Sequence, residues 1–170
     1  MKDNQSESSV ENVINGLVNS YQQELSEYKE LFKLTNKQQQ AIKSNNWEQL
    51  NQVTQKKREL MSKIDRLEEE VLDLQEQIAA ELDLQIGDKF YPELIKTQLP
   101  GTQELYQVLR QVYSLMEQIN ELNEKNQAQM EEEKQKKQQR LKEINQGMTA
   151  NKAYGGYSDN SEGKFIDQTD

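Results

Sequence analysis

The sequence predicts an all-α fold: a long antiparallel helical hairpin with coiled-coil packing, a third long helix packed on it, and a flexible C-terminal tail. Apolar residues recur every three or four positions over long stretches, which is typical of helices that pack along one narrow stripe. The 170 residues include only 7 glycines and 2 prolines, so long segments lack a helix breaker. Only 33% of the residues are hydrophobic and 30% are charged, which favours helices that pack side by side over an ordinary globular core.

Two apolar stripes separated by a polar turn predict the hairpin. The first helix is expected to start after Ser8, which forms a candidate capping box with Glu11, and to end near Lys43. The second is expected to begin at Trp47, with Asn45 as its N-cap. Its stripe consists of Leu50, Val53, Leu60, Ile64, Leu67, Val71, Leu74 and Ile78, with only Lys57 intruding. Helices of similar length joined by so short a turn fold back on each other.

A short helical segment and a third long helix are predicted after the hairpin. Pro92 favours one or two helical turns within residues 91–99. A turn signal ends at Gly101, and Thr102 is the candidate cap of the next helix. The main stripe of that helix consists of Leu105, Val108, Val112, Leu115, Ile119 and Leu122. A second stripe within Tyr106–Met116 makes this face wide enough to cover both hairpin helices or to leave a strip for a partner.

One domain, residues 9–148, is expected between a disordered lead, residues 1–8, and a flexible tail, residues 149–170. The chain length fits a single domain. After Leu122 the apolar residues become sparse and charged residues dominate, and Gly147 suggests that the third helix frays there. The tail is rich in Gly, Ser, Asp and Asn, a composition typical of flexible segments.

Composition argues against catalysis, metal binding and nucleic-acid binding. The chain contains no histidine and no cysteine, so the commonest general base and metal ligand and every thiolate are missing. The net charge of −9 disfavours contact with nucleic acid or anionic membranes. Neither an apolar leader nor a run of membrane-spanning length occurs, so we expect a cytoplasmic protein without direct membrane insertion. We expect no enzyme activity, no cofactor and no metal ion.

Two late segments are candidates for contacts with a partner. Leu141, Ile144 and Met148 restore helical spacing, and they form either an extension of the core or a binding surface. The sequence leaves both interpretations open. Tyr154 and Tyr157 lie in a glycine-rich segment with few apolar neighbours, so they belong either to a linear recognition motif or to a passive extension.

The order of these features resembles the FlgN family of flagellar type III export chaperones. The resemblance is carried by AIKSNNWEQLNQVTQKKRELMSKIDRLEEE from Ala41 to Glu70, the later PELIKTQLPGTQEL, LNEKNQAQM around Asn126, and the ending AYGGYSDNSEGKFID. Heptads recur in unrelated coiled coils, but here the order of the motifs, the lengths between them and the ending match the family over most of the chain.

The resemblance implies a chaperone without ATPase activity that binds flagellar hook-associated proteins, which form the hook–filament junction. Such a chaperone masks the C-terminal helical region of its client in the cytoplasm, prevents premature assembly and delivers the client to the export gate. The implied client-binding residues, late in the third helix, are Leu122, Asn126, Met130, Leu141, Ile144 and Met148. A Tyr-Gly pair in the family's tail docks on the cytoplasmic part of the gate. This implicates Tyr154 and Gly155, with Tyr157 as a second candidate.

The main alternative is a non-enzymatic coiled-coil scaffold or tether with no export client and a homodimeric seam. Both classes share the hairpin and differ in whether the segment after Leu122 binds a partner. A syntaxin-like helical adaptor is a second alternative, against which the tail and the missing membrane anchor weigh. A homodimer is also a candidate assembly for the chaperone.

Overall fold

The computed structural model describes residues 3–155 of the chain, and their side chains from residue 9 to residue 151. The helices are α1 (Asp3–Lys43), α2 (Trp47–Leu82), α3 (Phe90–Lys96) and α4 (Thr102–Gly155), and the described range contains no strand. The predicted all-α class is therefore confirmed. The chain divides into two compact units, a first unit of residues 1–127 and a second unit of residues 128–170.

Helices α1 and α2 form the predicted antiparallel hairpin within the first unit. The hydroxyl of Tyr28 on α1 donates to Oε1 of Glu68 on α2 at 3.3 Å. Nearer the turn, Nζ of Lys57 donates to Oε1 of Gln38 at 2.8 Å. Residue numbers thus rise along α1 as they fall along the facing part of α2, which is the pairing of an antiparallel hairpin.

The stripe predicted for α2 faces α1. Its buried residues are Leu50, Val53, Leu60, Ile64, Val71 and Ile78. Leu67 and Leu74 are half-buried at its margin. Removing each such side chain from water contributes about 1.5–3 kcal/mol, so this stripe supplies much of the favourable free energy of the hairpin.

The turn between the two helices differs from its prediction by one residue. Asn45 has φ 54°, a left-handed conformation that asparagine tolerates better than most residues. The N–H of Asn46 donates to the carbonyl of Ala41, and that of Asn45 to the carbonyl of Ile42, which together terminate α1 in a Schellman motif. The N-cap of α2 is Asn46, whose side chain accepts from the backbone N–H of Gln49 at 3.0 Å. The assignment of the cap to Asn45 was wrong because that residue closes the preceding helix.

The first part of α4 packs on the hairpin and runs parallel to α1. Its buried apolar residues, which join the same core as α1 and α2, are Leu105, Val108, Leu109, Val112 and Ile119. Gln22 donates to Glu104 at 2.9 Å, and the side chain of Asn126 donates to the carbonyl of Thr35 at 3.0 Å. Positions on both helices advance together, so the third helix packs on the hairpin as predicted. Thr102 starts this helix, and its hydroxyl donates back to the carbonyl of Leu99 at 2.8 Å.

The short helix α3 closes the first unit near the end of α2. Phe90 and Leu94 are almost completely buried, at 1% and 0% exposure. The helix starts at Phe90, so Pro92 occupies its third position and not the predicted first. Sequence patterns missed Phe90 because it begins the short helix three residues after Gly87, outside the long heptad repeats, where no periodicity marks a core position.

Lys57 connects three helices of the first unit. Its half-buried ammonium donates to Gln38 on α1 and to Oδ1 of Asn123 on α4, at 2.8 and 2.9 Å. Burial lowers the pKa of this lysine. The residue that interrupts the apolar stripe is therefore held by neutral amide oxygens from both neighbouring helices.

Helices α1 and α4 extend beyond their predicted limits. The described part of α1 begins at Asp3, before the candidate capping box. Helix α4 continues through Gly147 to Gly155, because one glycine costs only about 1 kcal/mol among good helix formers. The domain limits proposed at residues 8 and 148 stay predictions, and residues 156–170 of the tail lie outside the described residues.

Candidate functional site

The second unit carries an exposed apolar stripe on α4. Leu141, Ile144 and Met148 are 59%, 56% and 57% exposed. Their spacing of three and four residues places them on one side of the helix, and we call them the late apolar stripe. Met130, near the start of this unit, is 39% exposed. A row of large apolar side chains at helical spacing, all accessible in one chain, is suited to contact with a partner helix.

Local ion pairs stabilise the helix that carries this stripe. Lys136 lies 2.7 Å from Glu132 and 3.2 Å from Glu133. Lys134 lies 3.4 Å from Glu131. Exposed pairs of this kind are screened by solvent, so they support a helix but hold it far more weakly than a core would.

The structure separates the six predicted client-binding residues into two groups. Leu122 is half-buried and Asn126 is 3% exposed, and both belong to the first unit. Asn126 donates to Thr35 and thereby fixes α4 against α1. Met130 and the late apolar stripe belong to the second unit and are exposed. Sequence spacing could not distinguish these groups, because the same stripe continues on both sides of residue 127.

The predicted gate-docking residues lie at the limit of the described chain. Tyr154 and Gly155 fall within the helical backbone of α4, but their side chains lie outside the described ones. Tyr157 lies outside the described residues altogether.

A tyrosine-rich polar cluster in the first unit was not predicted. Tyr21 and Tyr91 share a hydrogen bond, and Nε2 of Gln75 donates to the hydroxyl of Tyr91. Glu24 lines the same cavity as Tyr21 and Tyr28, and the residue is only 3% exposed. A signal was present in the sequence, since Tyr21, Glu24 and Tyr28 have the i, i+3, i+7 spacing of one helix face. An acidic residue in the middle of an apolar stripe indicates a special position.

Burial shifts the ionisation of this cluster. It raises the pKa of Glu24 to about 7, and the nearby carboxylate of Glu68 adds to the shift. Burial likewise raises the pKa of Tyr91 to about 12 and the pKa values of Tyr21 and Tyr28 still further. The hydroxyls therefore stay protonated in the folded protein, whereas Glu24 changes its charge close to neutral pH.

Raising the pH from about 4.5 to about 8 is expected to lower the free energy of unfolding through Glu24. The folded-state pKa, about 7, lies above the unfolded value near 4.5, so within this window the folded protein keeps a proton that the unfolded chain has lost. The stabilisation is complete below the unfolded pKa and disappears as the pH rises through the folded one. Its upper limit is roughly 3.5 kcal/mol, since one pKa unit corresponds to about 1.4 kcal/mol, and solvent screening reduces it to roughly 2–3 kcal/mol.

Urea unfolding of the unsubstituted chain and of Glu24→Gln across this pH range measures the effect. The glutamine variant does not titrate here, so it should gain stability relative to the unsubstituted chain as the pH rises. Glu30→Gln, at an exposed position of the same helix, is the control and should show no such trend. Parallel pH profiles for all three proteins would contradict the assignment to Glu24.

Among the described residues, no helix is long and apolar enough to cross a membrane. A model of the FlgN protein family matches residues 13–162. No curated protein and no solved structure matches the chain. The family match covers most of α1, all of α2 and α3, and α4 to its end, so it rests on the whole arrangement of helices and not on one heptad stripe.

Proposed function

The chain belongs to the FlgN family of flagellar export chaperones, and on that premise we propose that it binds the C-terminal helical region of hook-associated proteins. Proteins of this family are chaperones that bind flagellar hook-associated proteins. In the proposed function the chaperone works in the cytoplasm, prevents premature assembly of its client and delivers it to the type III export gate. The observation that supports a helical client most directly is the exposed late apolar stripe.

The proposed client surface consists of Met130 and the late apolar stripe. A client helix with an apolar face would cover these side chains, as in other complexes where helices associate through i, i+3 and i+7 anchors. Asn126 is already used in the packing of α4 on α1, and we assign it a supporting role beside half-buried Leu122. The chaperone would then cover the client through a helix–helix contact, which excludes water from the late apolar stripe and from the apolar face of the client helix.

The sparse packing of α4 from residue 134 to residue 151 suits a chaperone that must release its client. All described side chains from residue 134 to residue 151 are exposed, so packing contributes little to this part of α4. A helix with few buried contacts opens at low free energy, and binding a client must offset the cost of ordering it. This cost lowers the affinity of the chaperone for its client without reducing the contact area. A lower affinity favours release of the client at the export gate.

Removal of residues 131–170 is expected to abolish client binding and to preserve the hairpin core. The core residues of the first unit lie before residue 128, so the shortened chain keeps its cooperative thermal transition. Calorimetric titration with the C-terminal helical segment of a hook-associated protein should show binding to the full chain only. Equal affinity of both chains would overturn the client surface and favour a site within the first unit. Binding to neither chain would favour the scaffold alternative.

We further propose that the tail docks the loaded chaperone on the cytoplasmic part of the export gate. The family resemblance supports Tyr154 and Gly155, and Tyr157 is the comparison. Tyr154→Ala is expected to weaken binding of the chaperone–client complex to the gate domain by roughly tenfold, because a tyrosine anchor commonly contributes more than 1 kcal/mol. Titration of the complex with the gate domain checks this, and client affinity should be unchanged. If neither tyrosine substitution alters gate affinity, the tail has no docking role.

A further inference from the structure

A cavity in the first unit combines carboxyl groups, tyrosines and apolar side chains, and it has the chemistry of a site for an organic cation. It has a volume of about 340 Å³ and is lined by residues of α1, α2 and α4, among them Tyr21, Glu24, Tyr28, Glu68 and Tyr113. Three aromatic rings and two carboxyl groups thus face one space. Aromatic faces and carboxylates both attract cations, whereas an anion or a neutral apolar ligand gains little from them.

Glu24 supplies an unsatisfied acceptor in the wall of this cavity. The residue is 3% exposed, and its Oε1 has no hydrogen-bond partner within the described part of the chain. Leaving a buried acceptor unpaired costs about 1–3 kcal/mol, so native structures rarely retain one without a role. A donor that enters the cavity would satisfy this oxygen.

A neighbouring apolar cavity indicates what carries the cation. It has a volume of about 420 Å³ and is lined mainly by apolar and aromatic residues of α3 and α4, including Pro92, Ile95 and Leu109, with Asp88 and Arg110 as its charged members. Tyr113 borders both cavities and is 58% exposed. A cationic side chain flanked by apolar residues would fill both spaces at once, which a free cation cannot do.

We propose that the cavity at Glu24 binds the guanidinium group of an arginine on a partner protein segment, whose apolar neighbour packs beside Tyr113. A planar guanidinium stacks on aromatic rings and donates several hydrogen bonds in a fixed geometry, so it matches a carboxyl group between tyrosines better than a compact ammonium does. The site lies wholly in the first unit and is distinct from the late apolar stripe. A test of this site therefore does not depend on whether the proposed client surface is correct.

Groups on every surrounding helix influence the charge of this site. Glu24 faces Tyr21 and Tyr28 on its own helix, Glu68 on α2, Tyr91 on α3 and Tyr113 on α4. Glu68 is the acidic group beside it, and it accepts a hydrogen bond from Tyr28. Binding of a cation should be stronger at pH 8 than at pH 6, because Glu24 is ionised at the higher pH.

Three acetylated tripeptide amides test the proposal on the full chain by NMR titration of the tyrosine ring signals. The sequences are Leu-Arg-Leu, Leu-citrulline-Leu and Gly-Arg-Gly, of which citrulline has the shape of arginine without its charge. We expect Leu-Arg-Leu to bind at millimolar concentration or tighter, at least about tenfold more tightly than the citrulline peptide. It should also bind several-fold more tightly than Gly-Arg-Gly.

Two variants and a matched control complete the test. Glu24→Gln keeps the size of the side chain and should weaken binding of Leu-Arg-Leu by roughly tenfold. Tyr113→Ala, at an exposed edge of the cavity, should weaken it without disturbing the core. Met61→Ala is the control, because Met61 is an exposed side chain of α2 that lines neither of the two cavities.

The proposal is overturned if Leu-Arg-Leu leaves the signals of the cavity tyrosines unshifted. It is also overturned if the citrulline peptide binds equally well, or if Glu24→Gln binds Leu-Arg-Leu like the unsubstituted chain. Equal affinities for Leu-Arg-Leu and Gly-Arg-Gly would exclude the protein segment and leave a site for a free guanidinium compound.

Discussion

Phe90→Ala is expected to lower the free energy of unfolding by about 3–5 kcal/mol. The ring is 1% exposed and belongs to the main core, and it also makes an edge contact with Tyr91 at 5.1 Å between ring centroids. Truncation removes the apolar contacts of the ring and leaves a cavity, which the surrounding structure can fill only in part. For a chain of this length the melting temperature should fall by roughly 10 °C. Urea unfolding and thermal melting measure both quantities.

Ile86→Ala is the control for this loss of stability. Ile86 lies in the connection between α2 and α3, shortly before Phe90, and is 45% exposed. Its truncation should change the free energy of unfolding by no more than about 0.5 kcal/mol. A cost for Phe90→Ala as small as that of the control would show that α3 is not part of the folding core.

Leu141→Asp combined with Ile144→Asp is expected to weaken client binding by roughly a hundredfold. Both side chains lie in the late apolar stripe, and a client helix that covers them would bury two unpaired carboxylates in the double variant. The same residues are exposed in the free chaperone, so its melting temperature should hardly change. Calorimetric titration with the client segment and a thermal melt separate these two effects.

Leu72→Asp combined with Met61→Asp is the matched control. These residues of α2 are 47% and 42% exposed, so the control adds the same charge at exposed apolar positions that do not belong to the late apolar stripe. Client affinity should remain within about twofold of that of the unsubstituted chain. If both double variants weaken binding equally, the added negative charge is responsible and the stripe is not the contact surface. A large fall in melting temperature for the first variant alone would instead identify Leu141 and Ile144 as core residues.

The predictable part of the fold is the part that repeats. The α2 stripe from Leu50 to Ile78 was visible because burial along one narrow face imposes a heptad spacing. Phe90 and the cap at Asn46 were missed because neither lies within a repeat. Phe90 is a core residue because the chain returns to the bundle at that point, which no local pattern indicates. Asn45 and Asn46 are both suited to a left-handed residue that ends a helix and to an N-cap, so the sequence does not show which residue has which role.

The sequence identified the residues of the candidate site but not which of them are buried and which are exposed. Spacing identified Leu141, Ile144 and Met148 as a stripe, but exposure decides whether a stripe is core or surface, and exposure depends on what packs opposite. Asn126 was predicted to belong to the same surface, but it is buried and donates a hydrogen bond to the carbonyl of Thr35. Glu24 was missed for the converse reason, since an acidic residue is assigned to solvent unless its neighbours are known.

The ammonium of Lys57 favours one register of the bundle. Its acceptors are one amide oxygen on α1, Gln38, and one on α4, Asn123. A slip of α4 by one heptad would replace Asn123 with Met116 or Met130, which have no amide oxygen in the side chain. Apolar heptads alone tolerate such slips, whereas a polar side chain at a core position penalises them. A homodimer formed through the α2 stripe would likewise bury this lysine away from both amides. One interruption of the stripe thus disfavours the alternative alignments that its leucines and isoleucines would otherwise allow.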